Sequence, residues 1–129
     1  MAQVKIYGLE PPLTENADAI SKAIHDAVME ALAYPPDKIF HRFLPLGRDQ
    51  FRFPEDRSDN YTIIEISMFE GRSVEAKKRL LNLIFENMER EAGIKPQDVE
   101  ITIFETPKHN WGIRGKPGDE LSLNYDVDV

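Results

Sequence analysis

From Ala2 to Tyr7 apolar and polar positions alternate, with Val4 and Ile6 facing one way and Gln3, Lys5 and Tyr7 the other, which predicts a strand. Pro11 and Pro12 break it. From Thr14 the apolar residues Ile20, Ala23, Ile24, Ala27, Val28 and Ala31 take the i, i+3, i+4, i+7 spacing of one helical face. Thr14 or Asn16 is the expected cap of that helix, and Pro35-Pro36 forbids its continuation. A short strand, Ile39 to Leu44, follows. The order then recurs. Tyr61 to Phe69 is a strand rich in β-branched residues, Gly71 turns the chain, and Ser73 with Glu75 behind it starts a second helix. The face of that helix is Leu80, Leu83, Ile84, Asn87 and Met88. Gly93 ends it, and Val99 to Phe104 is the fourth strand.

The recurrence has a fixed offset. Val4 and Ile64, Ile6 and Ile66, Ile20 and Leu80, Ile24 and Ile84, Val28 and Met88, Pro36 and Pro96, and Ile39 and Val99 each stand sixty residues apart. Duplicated β-α-β units explain this. Two right-handed units give an α+β fold, a four-stranded mixed sheet with both helices on one face. The expected organisation is one domain, 1–129, of two pseudo-repeats (about 2–45 and 61–105) plus a C-terminal extension. Apolar residues also fall on the uncovered face, Ile63, Phe69, Leu44 and Phe104 among them, so another subunit is expected to cover it. Two stretches lie outside the repeat. Gly47 to Asn60 is polar but carries Phe51 and Phe53. Trp111 to Gly118 is a glycine-rich loop, and Leu121 to Val129 alternates as a short edge strand.

Composition narrows the chemistry. A chain of 129 residues with net charge −7 lacks the basic surface that nucleic acid requires. It has no cysteine, hence neither a disulfide framework nor a thiolate metal site. No apolar run reaches a membrane span, and the start lacks a signal peptide's apolar segment, so a cytoplasmic protein is expected. The three histidines, His25, His41 and His109, show no metal-ligand spacing. Asp126 and Asp128 share a strand face, which suits a solvated edge better than a hard cation. The glycines at 112, 115 and 118 follow no strand-to-helix context, which leaves turn chemistry rather than a phosphate cradle, and no cofactor is implied.

Arginines near turns remain. Arg72 directly precedes a helix whose N-terminal amides favour an anion, and Arg42 sits inside a strand between His41 and Phe43. Either suits a small carboxylate, which guanidinium binds bidentately. Arg42 serves equally well as a structural ion pair, and Arg57 and Arg114 read as structural. His25 flanks the helical face, either as a half-buried structural residue or as an acid–base group. Trp111 and Phe51 form an apolar pocket wall or anchor their loops to a subunit interface.

The stretches Ala23 to Leu32 followed by Pro35-Pro36, Arg57 to Ile66, Gly71 to Leu80, Gly93-Ile94 through Asp98 to Ile101, and Asn110 to Gly115 stand in an order that resembles the tautomerase superfamily. The likeness is to the two-unit branch that includes malonate semialdehyde decarboxylase-like and 4-oxalocrotonate tautomerase-like proteins. It implies assembly about a threefold axis, here a homotrimer, and work on a small 2-oxo acid. In that family an amino-terminal proline, exposed by loss of the initiator methionine, acts as base in keto–enol isomerisation or as a cationic group in decarboxylation. Here Ala2 stands in its place. A terminus at Ala2 is a primary amine with an ordinary pKa of about 7.7–8.0, still usable as a base. With Met1 retained the amine moves one residue away, about 3.5 Å along an extended strand. Arg72 matches a carboxylate-binding arginine, although its companion two residues earlier is Glu70, which repels an anion. The family's acidic helper aligns with Lys38, His25 with a histidine of the first helix, and Trp111 with a C-terminal aromatic. The resemblance therefore implies either a tautomerase-like enzyme, with Ala2 and His25 as catalytic candidates and Arg42, Arg72, Phe51 and Trp111 around the substrate, or a trimeric ligand-binding or assembly protein that kept the fold and lost the base.

Overall fold

In the computed structural model, which describes residues 2–121, 127 and 129, the alternating start of the chain is β1 (Ala2–Leu9), inside a four-stranded sheet of order β2-β1-β3-β4. Strand β2 (His41–Leu46) pairs with it in parallel, β3 (Thr62–Phe69) in antiparallel, and β4 (Val99–Thr106) runs parallel to β3. Val4 lies opposite His41 and Ile64 opposite Ile101, thirty-seven residues apart in both units. Lys5 lies opposite Glu65, its own counterpart sixty residues on, so the local two-fold relating the units passes through that pair. The mixed sheet of tandem β-α-β units is thus the fold observed.

Helices α2 (Ala17–Leu32) and α3 (Val74–Ala92) pack on each other and on one face of the sheet. Ile20, Ile24, Leu80, Ile84 and Met88 bury against Val4, Ile6, Ile64 and Ile66, each large side chain contributing about 1.5–3 kcal/mol. Asn87 belongs to this face because its polar atoms are satisfied: Nδ2 donates to the Ala23 carbonyl at 3.0 Å and Oδ1 accepts from Arg90 at 2.8 Å. Ser73 caps α3, its Oγ accepting the Ala76 N–H at 3.1 Å. Ala33 (φ 50°) and Gly93 (φ 67°) end the two helices in the same left-handed conformation at equivalent positions.

Three boundaries differ from the sequence expectation. The first helix is split into a single turn, α1 (Pro12–Glu15), and α2, with Asn16 between them at the cap position. Its side chain makes no cap bond, and Thr14 donates instead to Glu10 at 2.8 Å. Strand β2 begins at His41 rather than Ile39, because ladder pairing with β1 begins at Val4; Ile39 and Phe40 precede it, exposed. β4 runs on to Thr106, following β3 to its end.

The second face of the sheet is partly covered by the chain itself, which corrects the expectation that Ile63 and Phe69 need another subunit. At one end Phe51, Phe53 and Tyr61 fold over Leu9, Leu46 and Ile63. At the other, Phe69 packs with Trp111, Ile113, Leu121 and Val127. Phe104, half exposed, remains open. The glycine-rich loop is a hairpin, β5 (Gly112–Ile113) and β6 (Lys116–Pro117), whose two-residue turn has positive φ at both Arg114 (49°) and Gly115 (86°). Gly118 is needed where the hairpin meets the sheet, since a Cβ there would lie 2.4 Å from the Lys108 carbonyl oxygen. The expected edge strand 121–129, with its Asp126 and Asp128, lies outside the described residues except at Leu121, Val127 and Val129. Among the described residues no helix is long and apolar enough to cross a membrane.

Candidate functional site

The start of β1 gathers the polar groups of interest. The Ala2 N–H donates to the Tyr34 hydroxyl at 3.1 Å. Tyr34 follows the left-handed Ala33, which swings the chain back under β1 and buries the ring. Burial pushes its phenol above the usual range, the Asp37 charge adds to this, and the bond from Ala2 and the Arg72 charge oppose it. Arg72 arrives from the second unit. Ala2 pairs with Met68, β3 ends at Phe69, and the turn through Gly71 folds Arg72 inward. It is only 5% exposed, and its Nη1 donates to the Phe69 carbonyl at 3.3 Å. The next amide, Ser73 N–H, donates to the Val129 carbonyl at 2.7 Å, so the chain itself occupies the helix start where an anion was expected.

Two clefts open beside this corner and share Gln3. One of about 400 Å³ is lined by Gln3, Ile39, Phe40, His41 and Arg42. The other, about 300 Å³, includes Gln3, Ser67, Phe104, Asn110 and Trp111. Arg42 is exposed on β2, its Nη2 donating a long 3.4 Å bond to Gln3 Oε1. Trp111 stands edge-on to Phe69 at 5.2 Å between ring centres.

The two other candidates lie elsewhere. His25 donates from Nε2 to the Pro36 carbonyl at 2.9 Å, with its ring edge-on to His41 at 6.2 Å. Phe51 stacks on Tyr61 beside Leu9, at the opposite end of β1 and roughly 23 Å from Ala2 along the strand. The structure therefore brings Ala2, Arg42, Arg72 and Trp111 to one end of the sheet, places His25 behind its edge, and sends Phe51 to the other end.

Sequence reasoning missed Tyr34 and His41. His41 Nδ1 lies 2.6 Å from Ser21 Oγ, and burial, reinforced by the neighbouring His25, pushes its pKa down to about 4. The signal was present in the repeat. Tyr34 and His41 correspond to Ile94 and Ile101, so each is a polar residue where the duplicate unit has a plain hydrocarbon. Among the described residues no three metal-binding side chains stand together.

A family described as "Tautomerase enzyme" matches residues 38–114, a span that holds Arg42, Arg72 and Trp111 and stops short of Ala2 and Tyr34. The 2-hydroxymuconate tautomerase of Comamonas testosteroni is 37% identical over 57 residues, 44% of this chain and 90% of that protein. The FG41 malonate semialdehyde decarboxylase, solved with the inhibitor 3-bromopropiolate, superposes with a TM-score of 0.77 at 28% identity, covering 85% of this chain and 87% of that one. A fused 4-OT solved as a symmetric trimer superposes with a TM-score of 0.73 at 17% identity, covering 98% and 95%, a likeness of fold alone.

Proposed function

This chain belongs to the tautomerase enzyme family, and on that premise we propose that it is a keto–enol tautomerase acting on a small 2-oxo acid, with the amine of Ala2 as base in place of a proline. The observation that carries the reading is the meeting of the Ala2 nitrogen, the Tyr34 hydroxyl and the Arg72 guanidinium beside a cleft that holds a second arginine, Arg42. Once Met1 is removed the nitrogen is an amine, and burial next to a cation favours its neutral, proton-accepting form. Arg72 and Arg42 hold the substrate carboxylate, Trp111 shields one side from water, and the amine takes the proton from the enol oxygen and delivers it to carbon. His25 is the reserve proton carrier. Phe51 reaches such a site only from another copy, which fits a homotrimer of the kind the fused 4-OT forms. The proposed enzyme is cytoplasmic, cofactor-free and a single domain of two pseudo-repeats. Its test is the ultraviolet-detected ketonisation of a small 2-hydroxy-dienoate by Met1-processed protein. The expected result is turnover above buffer that falls on the order of 100-fold in Arg72→Ala.

A second reading has its own support. Arg72 is nearly closed to solvent and the amide of Ser73, the cap residue of α3, is bonded to Val129, as suits a trimeric binding or assembly protein that retains the fold without the reaction. A flat trace from folded, processed protein selects it.

A further inference from the structure

Tyr34 and Ile94 follow equivalent left-handed residues and are buried alike, 4% and 2% exposed. The fold asks only for an apolar plug at that point, and in the second unit Ile94 supplies one. There the counterpart of Ala2 is Thr62, and Ile94 and Thr62 line a void of about 10 Å³, near the lower limit for one water. In the first unit the plug carries an oxygen, and that oxygen meets the nitrogen of residue 2 at 3.1 Å. A buried phenol costs free energy unless its oxygen is satisfied, so its presence where isoleucine suffices needs a cause outside packing.

We propose that Tyr34 is the positioning residue for the nitrogen of residue 2: its hydroxyl oxygen accepts that N–H, aims the nitrogen, and sets the pH at which the amine of a Met1-processed chain gives up its proton. This rests on the reading above, in which that amine is the base. Among the described residues, the charged groups acting at this point are Arg72, from the β3–α3 turn, and Asp37, from the connection after α2. Burial and Arg72 disfavour the ammonium. Asp37 and the phenol oxygen favour it, and of these the phenol makes the direct bond. The phenol itself stays neutral, because burial raises its own pKa. Removing the hydroxyl therefore lowers the pKa of the amine.

The experiment is a pH titration of ¹⁵N-labelled Ala2 by NMR in Met1-processed protein, wild type against Tyr34→Phe, with the pH profile of kcat/KM alongside. Phenylalanine keeps the ring and the plug. The expected result is a fall of about one unit in the amine pKa, with the acidic limb of the profile moving by the same amount. Fluorotyrosine at position 34, which weakens the oxygen as an acceptor with little change in volume, gives a smaller shift of the same sign and keeps the test alive if Tyr34→Phe does not fold. An unchanged amine pKa in a folded variant overturns the proposal whether or not the protein turns over substrate. A shifted amine in a protein without turnover upholds Tyr34 and removes the tautomerase reading instead.

Discussion

The two β-α-β units share a backbone and differ in what they bury. Their strands pair in the same register, and their helices end in the same left-handed residue. At four matched positions, however, the first unit has Ser21, His25, Tyr34 and His41 where the second has Leu81, Phe85, Ile94 and Ile101. The turns diverge as well. After β1 the chain reads Glu10-Pro11-Pro12, and after β3 it reads Glu70-Gly71-Arg72, so a guanidinium enters only beneath the start of β1. One end of the sheet is sealed by aromatic residues of the 47–61 stretch, while the other keeps two clefts. The difference separates what the fold requires from what it merely permits: the polar cluster is an addition to a scaffold that is complete without it.

The comparison breaks most sharply by exchanging its two plugs. Ile94→Tyr forces a larger, polar ring into a place whose void is too small for it. A loss of about 2–4 kcal/mol in urea unfolding is expected, and a neutral result would mean that the two ends are more alike than their residues. A smaller effect comes from His41. The native state keeps it neutral down to about pH 4, whereas the unfolded chain binds its proton below the ordinary value of 6.5. The unfolded state thus holds more protons across that window, and stability falls as pH drops through it, by about 2 kcal/mol for a half-buried ring. His41→Gln should flatten this part of the pH–stability curve, and an equal slope in both proteins would show that the ring titrates normally. The smallest effect sharpens the likeness of the units. Ala33 and Gly93 share a backbone conformation that only glycine adopts without strain. Ala33→Gly should stabilise by about 0.5 kcal/mol and Gly93→Ala destabilise by about 1 kcal/mol, and shifts of the same sign would mean that the caps are not equivalent.

The scaffold was legible because its causes are periodic. Alternation at Val4 and Ile6, the helical stripe from Ile20 to Ala31 and the constant offset of sixty are local patterns that packing obeys. The site was less legible because its members touch through tertiary structure. Nothing near Tyr34 in sequence announces that the residue after a left-handed alanine swings beneath β1. Arg72 could be read as an anion binder from its place before a helix, but not its burial or the Val129 carbonyl on the adjacent amide. Phe51, aromatic in a polar loop, reads as a pocket wall or as an anchor to a subunit interface, and that loop folds over the far end of its own sheet.

The central claim is that the polar end of the first unit is a working proton-transfer site. It is tested most directly by the ketonisation rate of protein whose terminus at Ala2 has been verified by intact mass, measured beside Arg72→Ala. Turnover above buffer that depends on Arg72 is expected. A folded, processed protein with a rate equal to buffer, or one indifferent to loss of Arg72, would contradict it.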